Sequence, residues 1–200
     1  MAIVLYDTTV SGHCHRVRLF LSLLDVAHDT IEIDMQRGDH KDPKYLELSP
    51  LGQVPTLVDD DVVITDSCAA LIYLAKTYGN DRWLPDDAIG AARVQRWLST
   101  ASGELFRGPV AARAIKLFGR NYAYDDAVMW SKRLLDWMQD ELDTRQWLAA
   151  DHETIADVAM YSYLRVANEG GIDLDPYPAI YRWLADVEAL DRFIPMYRSV

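Results

Sequence analysis

Ile3–Tyr6 is a continuous apolar run, the pattern of a strand buried on both faces. Over Cys14–Val26 the period changes. Val17, Phe20, Leu21 and Leu24 recur at helical spacing, with Arg16 and Arg18 off that stripe. His28–Asp34 alternates, Ile31 and Ile33 on one face and Thr30 and Glu32 on the other, which predicts a strand. Gln36–Pro43 is polar and loop-like, and Pro43–Leu48 predicts a short helix. Thr56–Val58 and Val62–Ile64 are β-branched runs flanking Asp59-Asp60-Asp61, the mark of a hairpin. Cys68–Tyr78 carries Ala69, Leu71, Ile72 and Ala75, and Gly79 is a plausible helix stop. The predicted order is β-α-β-α-β-β-α, a small α/β unit.

The pattern then changes character. Asn80–Asp87 holds Pro85 and three acidic residues and reads as a linker. Beyond it Ala88–Phe118, Asp125–Leu142, Ile155–Asn168 and Pro178–Leu190 all read as helices, with no convincing strand. Thr154-Ile155-Ala156-Asp157 fits a capping box, in which a hydroxyl and a carboxylate each satisfy an orphan N–H. The expected domains are residues 1–79, a linker at 80–87 and an all-helical unit at 88–200.

Composition narrows the function classes. A 200-residue chain that is 50% hydrophobic can bury a sizeable core. Met1–Tyr6 lacks the basic start of a signal peptide, and no apolar segment approaches the roughly 20 residues that span a bilayer. Cys14 and Cys68 are too few for a disulfide framework, so a cytoplasmic setting is expected. The net charge of −11 argues against a nucleic-acid or anionic-membrane surface. The histidines show no His-Glu-x-x-His pattern and no pairing with the cysteines, so no metal site is expected.

Candidate chemistry gathers at Gln53–Ser67. Pro55 stands at the first strand's entry, where its missing N–H breaks no central ladder bond. Thr65-Asp66-Ser67 supplies N-cap oxygens immediately after the hairpin. An X-Pro bend, a hairpin and a helix N-terminus lie close together there, a good place to hold a small anionic peptide. Ser11, ahead of the first helix, is an N-cap by the same reasoning.

These motifs, in this order and spacing, resemble those of the cytosolic glutathione transferases over essentially the whole chain: Gln53-Val54-Pro55, Asp66-Ser67 and Thr154–Asp157. Ser11-Gly12-His13-Cys14-His15-Arg16-Val17-Arg18 resembles the serine-type active-site segment of zeta-like, theta-like and many bacterial members. The resemblance implies an α/β plus all-α protein, an N-terminal thioredoxin-like domain followed by a C-terminal all-helical domain. It also implies a homodimer in the cytoplasm, with glutathione as co-substrate.

By that resemblance the Val54–Pro55 bond is cis and the Val54 main chain pairs with the central amide of glutathione. Ser67 takes the γ-glutamyl carboxylate, Asp66 faces the ammonium, and Gln53 and the loop residue His40 take the glycine carboxylate. Ser11 would hold the thiol as thiolate. Lowering a thiol of pKa about 8.5 by about two units needs roughly 2.7 kcal/mol. One hydrogen bond to a charged group contributes about 1.5–3 kcal/mol, so a single hydroxyl is enough. Tyr6 and Cys14 are rivals for that role. Phe106, Arg107 and Arg113 fall on the helix that walls the electrophile pocket in this family, and His13 is a further candidate there. The mix suits a small hydrophobic or carboxylated electrophile. A zeta-like isomerase, a thiol reductase using Cys14 and a non-catalytic glutathione-binding protein are the other functions weighed.

Overall fold

The computed structural model describes residues 3–199; Met1, Ala2 and Val200, at the outer ends of the expected domains, lie outside them. The first apolar run forms β1 (Ile3–Asp7), central in a sheet of order β2-β1-β3-β4. β2 (His28–Glu32) pairs parallel with β1; β3 (Thr56–Asp59) and β4 (Val62–Ile64) continue antiparallel. Leu5 lies opposite Leu57 and Tyr6 opposite Thr56, so the pairs occupy opposite faces. The leucines are buried in the core shared with α1 (Gly12–Leu23) and α3 (Ser67–Thr77). The Tyr6 face meets α2 (Pro43–Leu48), where the Tyr45 hydroxyl bonds the Gln53 carbonyl at 2.6 Å and pairs with the Thr56 hydroxyl at 3.0 Å. This is the thioredoxin-like arrangement expected.

Some boundaries differ. α1 starts at Gly12, because Ser11 caps it, and ends at Leu23, because Asp25 adopts a left-handed φ of 56°. Ile31 is 43% exposed rather than inward-facing, since β2 is an edge strand; Ile33, just past it, is buried. The long helix expected over Ala88–Phe118 breaks. α4 (Ala88–Ser102) stops at Gly103, and Pro109, which cannot donate a ladder bond, sits in a π-helical segment before α5 (Ala111–Phe118).

α6 (Tyr124–Asp143), α7 (Ile155–Arg165) and α8 (Pro178–Glu188) complete the helical domain. Every residue of α7 from Ile155 to Leu164 is buried. The helix packs against α1, α3 and α4, so its start is sealed from water. There Thr154 and Asp157 form the expected capping box. Asp157 accepts from the Thr154 N–H at 2.9 Å, the Leu148 N–H at 3.1 Å and Trp183 Nε1 at 2.9 Å.

Asp157→Asn keeps the shape but removes the charge and turns an NH2 toward donors. We expect a loss of about 2–3 kcal/mol, read from urea melts. Burial pushes the Asp157 carboxyl up to about 6, above its ordinary value. The folded state therefore binds the extra proton. Stability from this group is present below about pH 4 and declines as pH rises through about 6. The Asn variant should lack that slope.

Candidate active site

β1 ends in a short turn, and Ser11 follows as the N-cap of α1. Its N–H donates to the Thr8 carbonyl at 3.0 Å, and its hydroxyl oxygen accepts from the Cys14 N–H at 3.3 Å. Capping uses the oxygen as acceptor and leaves its proton to donate elsewhere. Ser11 opens onto a cavity of about 700 Å³ shared with Thr8, Val10, Val54, Arg113, Phe118 and Tyr163. Among the described residues the main-chain N–H and C=O of Val54 enter no hydrogen bond, leaving a short strand-like edge on that cavity.

The Val54–Pro55 bond is cis, as expected, and Pro55 is buried. Tyr45 and Ser49 hydroxyls both donate to the Gln53 carbonyl, strapping the loop, while the exposed Gln53 side chain makes no hydrogen bond within the described residues. His40 lies beside this loop. Gly52 has φ +58°, and a Cβ there would stand 2.7 Å from the His40 carbonyl. The buried His40 Nδ1 has no partner among the described residues.

At the far side of the hairpin, Asp66 caps α3 by accepting from the Ala69 N–H at 2.8 Å. Ser67 is buried, and its hydroxyl oxygen accepts from Arg16 Nη1 at 3.1 Å. The N–H groups of Ser67 and Cys68 enter no hydrogen bond among the described residues. Arg16, off the apolar stripe of α1, is nonetheless buried. Arg18 pairs with Asp7.

The electrophile-side candidates divide. Arg113 lines the cavity but is already engaged: Nε pairs with Glu169 at 2.6 Å and Nη1 donates to the Val10 carbonyl at 2.9 Å. His13 stacks on Phe106 at 6.2 Å and meets Tyr163 edge-on at 4.9 Å, yet neither His13 nor Phe106 lines the cavity. Burial, aided by the charge of Arg16, lowers the His13 pKa to about 3, so its ring is neutral at physiological pH. Arg107 lies off the cavity with its guanidinium over the Trp130 ring.

Of the rivals, Tyr6 packs on Tyr45 at 5.6 Å and does not line the cavity. Cys14 is fully buried; burial and the nearby Asp7 carboxylate push its thiol far up, away from thiolate. Sequence reasoning missed Tyr163, a buried side chain of α7. Its ring lies so close to Gly12 that a Cβ there would stand 2.7 Å away. It lines the same cavity as Ser11. The only local signal for this contact was a glycine directly after the serine.

The chain matches the family profiles of the glutathione S-transferase N-terminal domain over residues 10–77 and the C-terminal domain over residues 114–191. It is 30% identical to glutathione S-transferase D7 of Anopheles gambiae, covering 92% of this chain and 85% of that one. It is 27% identical to a maleylacetoacetate isomerase of Pseudomonas aeruginosa, covering 92% and 90%. The solved structure of a possible glutathione S-transferase from Rhodopseudomonas palustris superposes with a TM-score of 0.92 at 30% identity, covering 100% of both chains. With its thioredoxin-like sheet, its helical domain and these matches, the protein belongs to the glutathione S-transferase family. Among the described residues no helix is long and apolar enough to cross a membrane, and no cluster suited to a metal ion occurs.

Two outcomes follow for the α1 turn. Cys14 should resist a thiol reagent in the native protein and be labelled only after denaturation, which mass spectrometry can check. Gly12→Ala should cost about 1–3 kcal/mol in a denaturant melt, because a rigid aromatic ring must shift.

Proposed function

We propose that this protein is a glutathione transferase that activates the thiol of glutathione through Ser11. The observation carrying the proposal is the shared cavity: a capping serine with a free hydroxyl proton opens onto the same space as the unpaired main chain of Val54. Val54 would pair with the central amide of the peptide, as a strand edge does, with Pro55 shaping the loop. Ser67 and Asp66 would take the carboxylate and ammonium of the γ-glutamyl end at the start of α3. Gln53 and His40, on adjoining loops, would take the glycine carboxylate.

In the reaction, the thiol proton leaves to solvent and the Ser11 hydroxyl donates to the sulfur anion. The sulfur lone pair then attacks an electrophilic carbon, and the leaving group departs with its bonding electrons. Hydrogen bonding to the anion, about 1.5–3 kcal/mol, outweighs the α1 dipole at roughly 0.3–1 kcal/mol. Arg113, with His13, Phe106 and Arg107 further out, would face a small hydrophobic or carboxylated electrophile. The reading extends to a cytoplasmic homodimer with domains at 1–79 and 88–200 joined by 80–87. The similarity to a maleylacetoacetate isomerase favours a second reading. There the thiolate adds to an activated double bond, the carbon–carbon bond rotates, and the thiolate leaves.

The test is turnover of an aryl halide and of an activated cis-alkene by wild type, Ser11→Ala and Cys14→Ala. Ser11→Ala should lose about 10–100-fold in kcat/KM, and ultraviolet titration should show the bound thiol's pKa rising. Cys14→Ala should stay near wild-type activity. Full activity in Ser11→Ala with loss in Cys14→Ala would sink the mechanism. Glutathione binding without turnover of any electrophile would leave a binding protein instead.

A further inference from the structure

Arg16 is 1% exposed, and its guanidinium has no carboxylate partner among the described residues. Nη1 donates to the Ser67 hydroxyl at 3.1 Å and to Cys68 Sγ at 3.3 Å; Nε and Nη2 are buried with no partner among the described residues. Neighbouring arginines show what is missing: Arg18 has Asp7, and the equally buried Arg113 has Glu169. A buried cation without a counter-charge is strongly unfavourable. A chain of net charge −11 has carboxylates in excess, yet among the described residues none pairs with Arg16.

The contact with Ser67 has a directional consequence. Its oxygen accepts from Arg16, so its own proton must point away from the guanidinium, and it donates to nothing among the described residues. Beside it lie the unpaired N–H groups of Ser67 and Cys68, at the positive end of an 11-residue helix.

We propose that Arg16 is a positioning residue for the γ-glutamyl carboxylate of glutathione. It fixes the Ser67 hydroxyl as a donor and supplies, from behind, the counter-charge that the carboxylate meets. The assignment rests on the glutathione reading above and adds a residue to it. α1 would then serve both ends of the peptide, with Ser11 at the thiol and Arg16 behind the amino-acid end.

The test measures calorimetric binding of glutathione and of an analogue whose γ-glutamyl α-carboxylate is replaced by hydrogen. The proteins are the full-length wild type, Arg16→Gln, Arg16→Lys and Ser67→Ala. Removing the carboxylate should cost the wild type about 10- to 100-fold in affinity. In Arg16→Gln and Ser67→Ala it should cost about threefold or less. Arg16→Lys keeps the charge but not the fork, so it should fall between, and it serves if Arg16→Gln does not fold. A variant that weakens both ligands by one common factor, keeping the wild-type ratio, shows a structural role and overturns this assignment alone. A wild type that binds neither peptide overturns the glutathione reading, and the assignment with it.

Discussion

A helix with no solvent-facing side has nowhere to send its first N–H groups except into the protein. α7 is such a helix, and the Asp157 carboxylate resolves the problem. It closes the capping box with Thr154 and at the same time accepts from Leu148 and Trp183. One charged group therefore fixes the start of α7, the loop before it and the position of α8. Burial opposes that charge, and the surrounding donors offset only part of the penalty. From this anchored helix Ser162 reaches His15 on α1 at 2.9 Å, and Tyr163 presses on Gly12. His15 Nε2 faces the Ile194 carbonyl at 3.0 Å, which can only accept; that nitrogen carries the proton, and Nδ1 accepts from Ser162. The turn bearing Ser11 is thus held by the helical domain as much as by the sheet.

Charge is handled differently at the two ends of the site. At the α5 end of the cavity Arg113 is neutralised by Glu169, which also accepts from the Ser199 N–H at 2.6 Å. The ion pair works as a strap: it ties α5 to the Val10 carbonyl, directly before Ser11. On the Ser67 side the buried Arg16 guanidinium has no such partner among the described residues. An acidic protein can in this way offer an anion a local positive site that its overall charge opposes.

How much could be read from sequence depended on how local the cause was. The Gln53–Ser67 segment was legible because an X-Pro pair, β-branched runs and cap residues each act within a few positions. The Thr154–Asp157 box was legible for the same reason. The break at Gly103 and Pro109 was readable in principle, but the apolar period ran through it and outweighed the breakers. The exposed Ile31 depends on β2 being an edge, which alternation alone cannot reveal. Tyr163, Arg16 and Glu169 were beyond reach. Each owes its role to packing between helices far apart in the chain, and on its own helix each resembles ordinary core or surface.

The fit of Tyr163 against Gly12 also bears on how such proteins can change over time. The sheet-bearing domain contributes a bare backbone and the helical domain contributes the ring that fills the space beside it. A residue larger than glycine on one side needs a smaller or displaced ring on the other, which couples the two positions. The two domains are therefore not interchangeable modules. A chimera joining this N-terminal half to a relative's helical half would keep the seam beside the serine only where that half presents a ring that fits against Gly12.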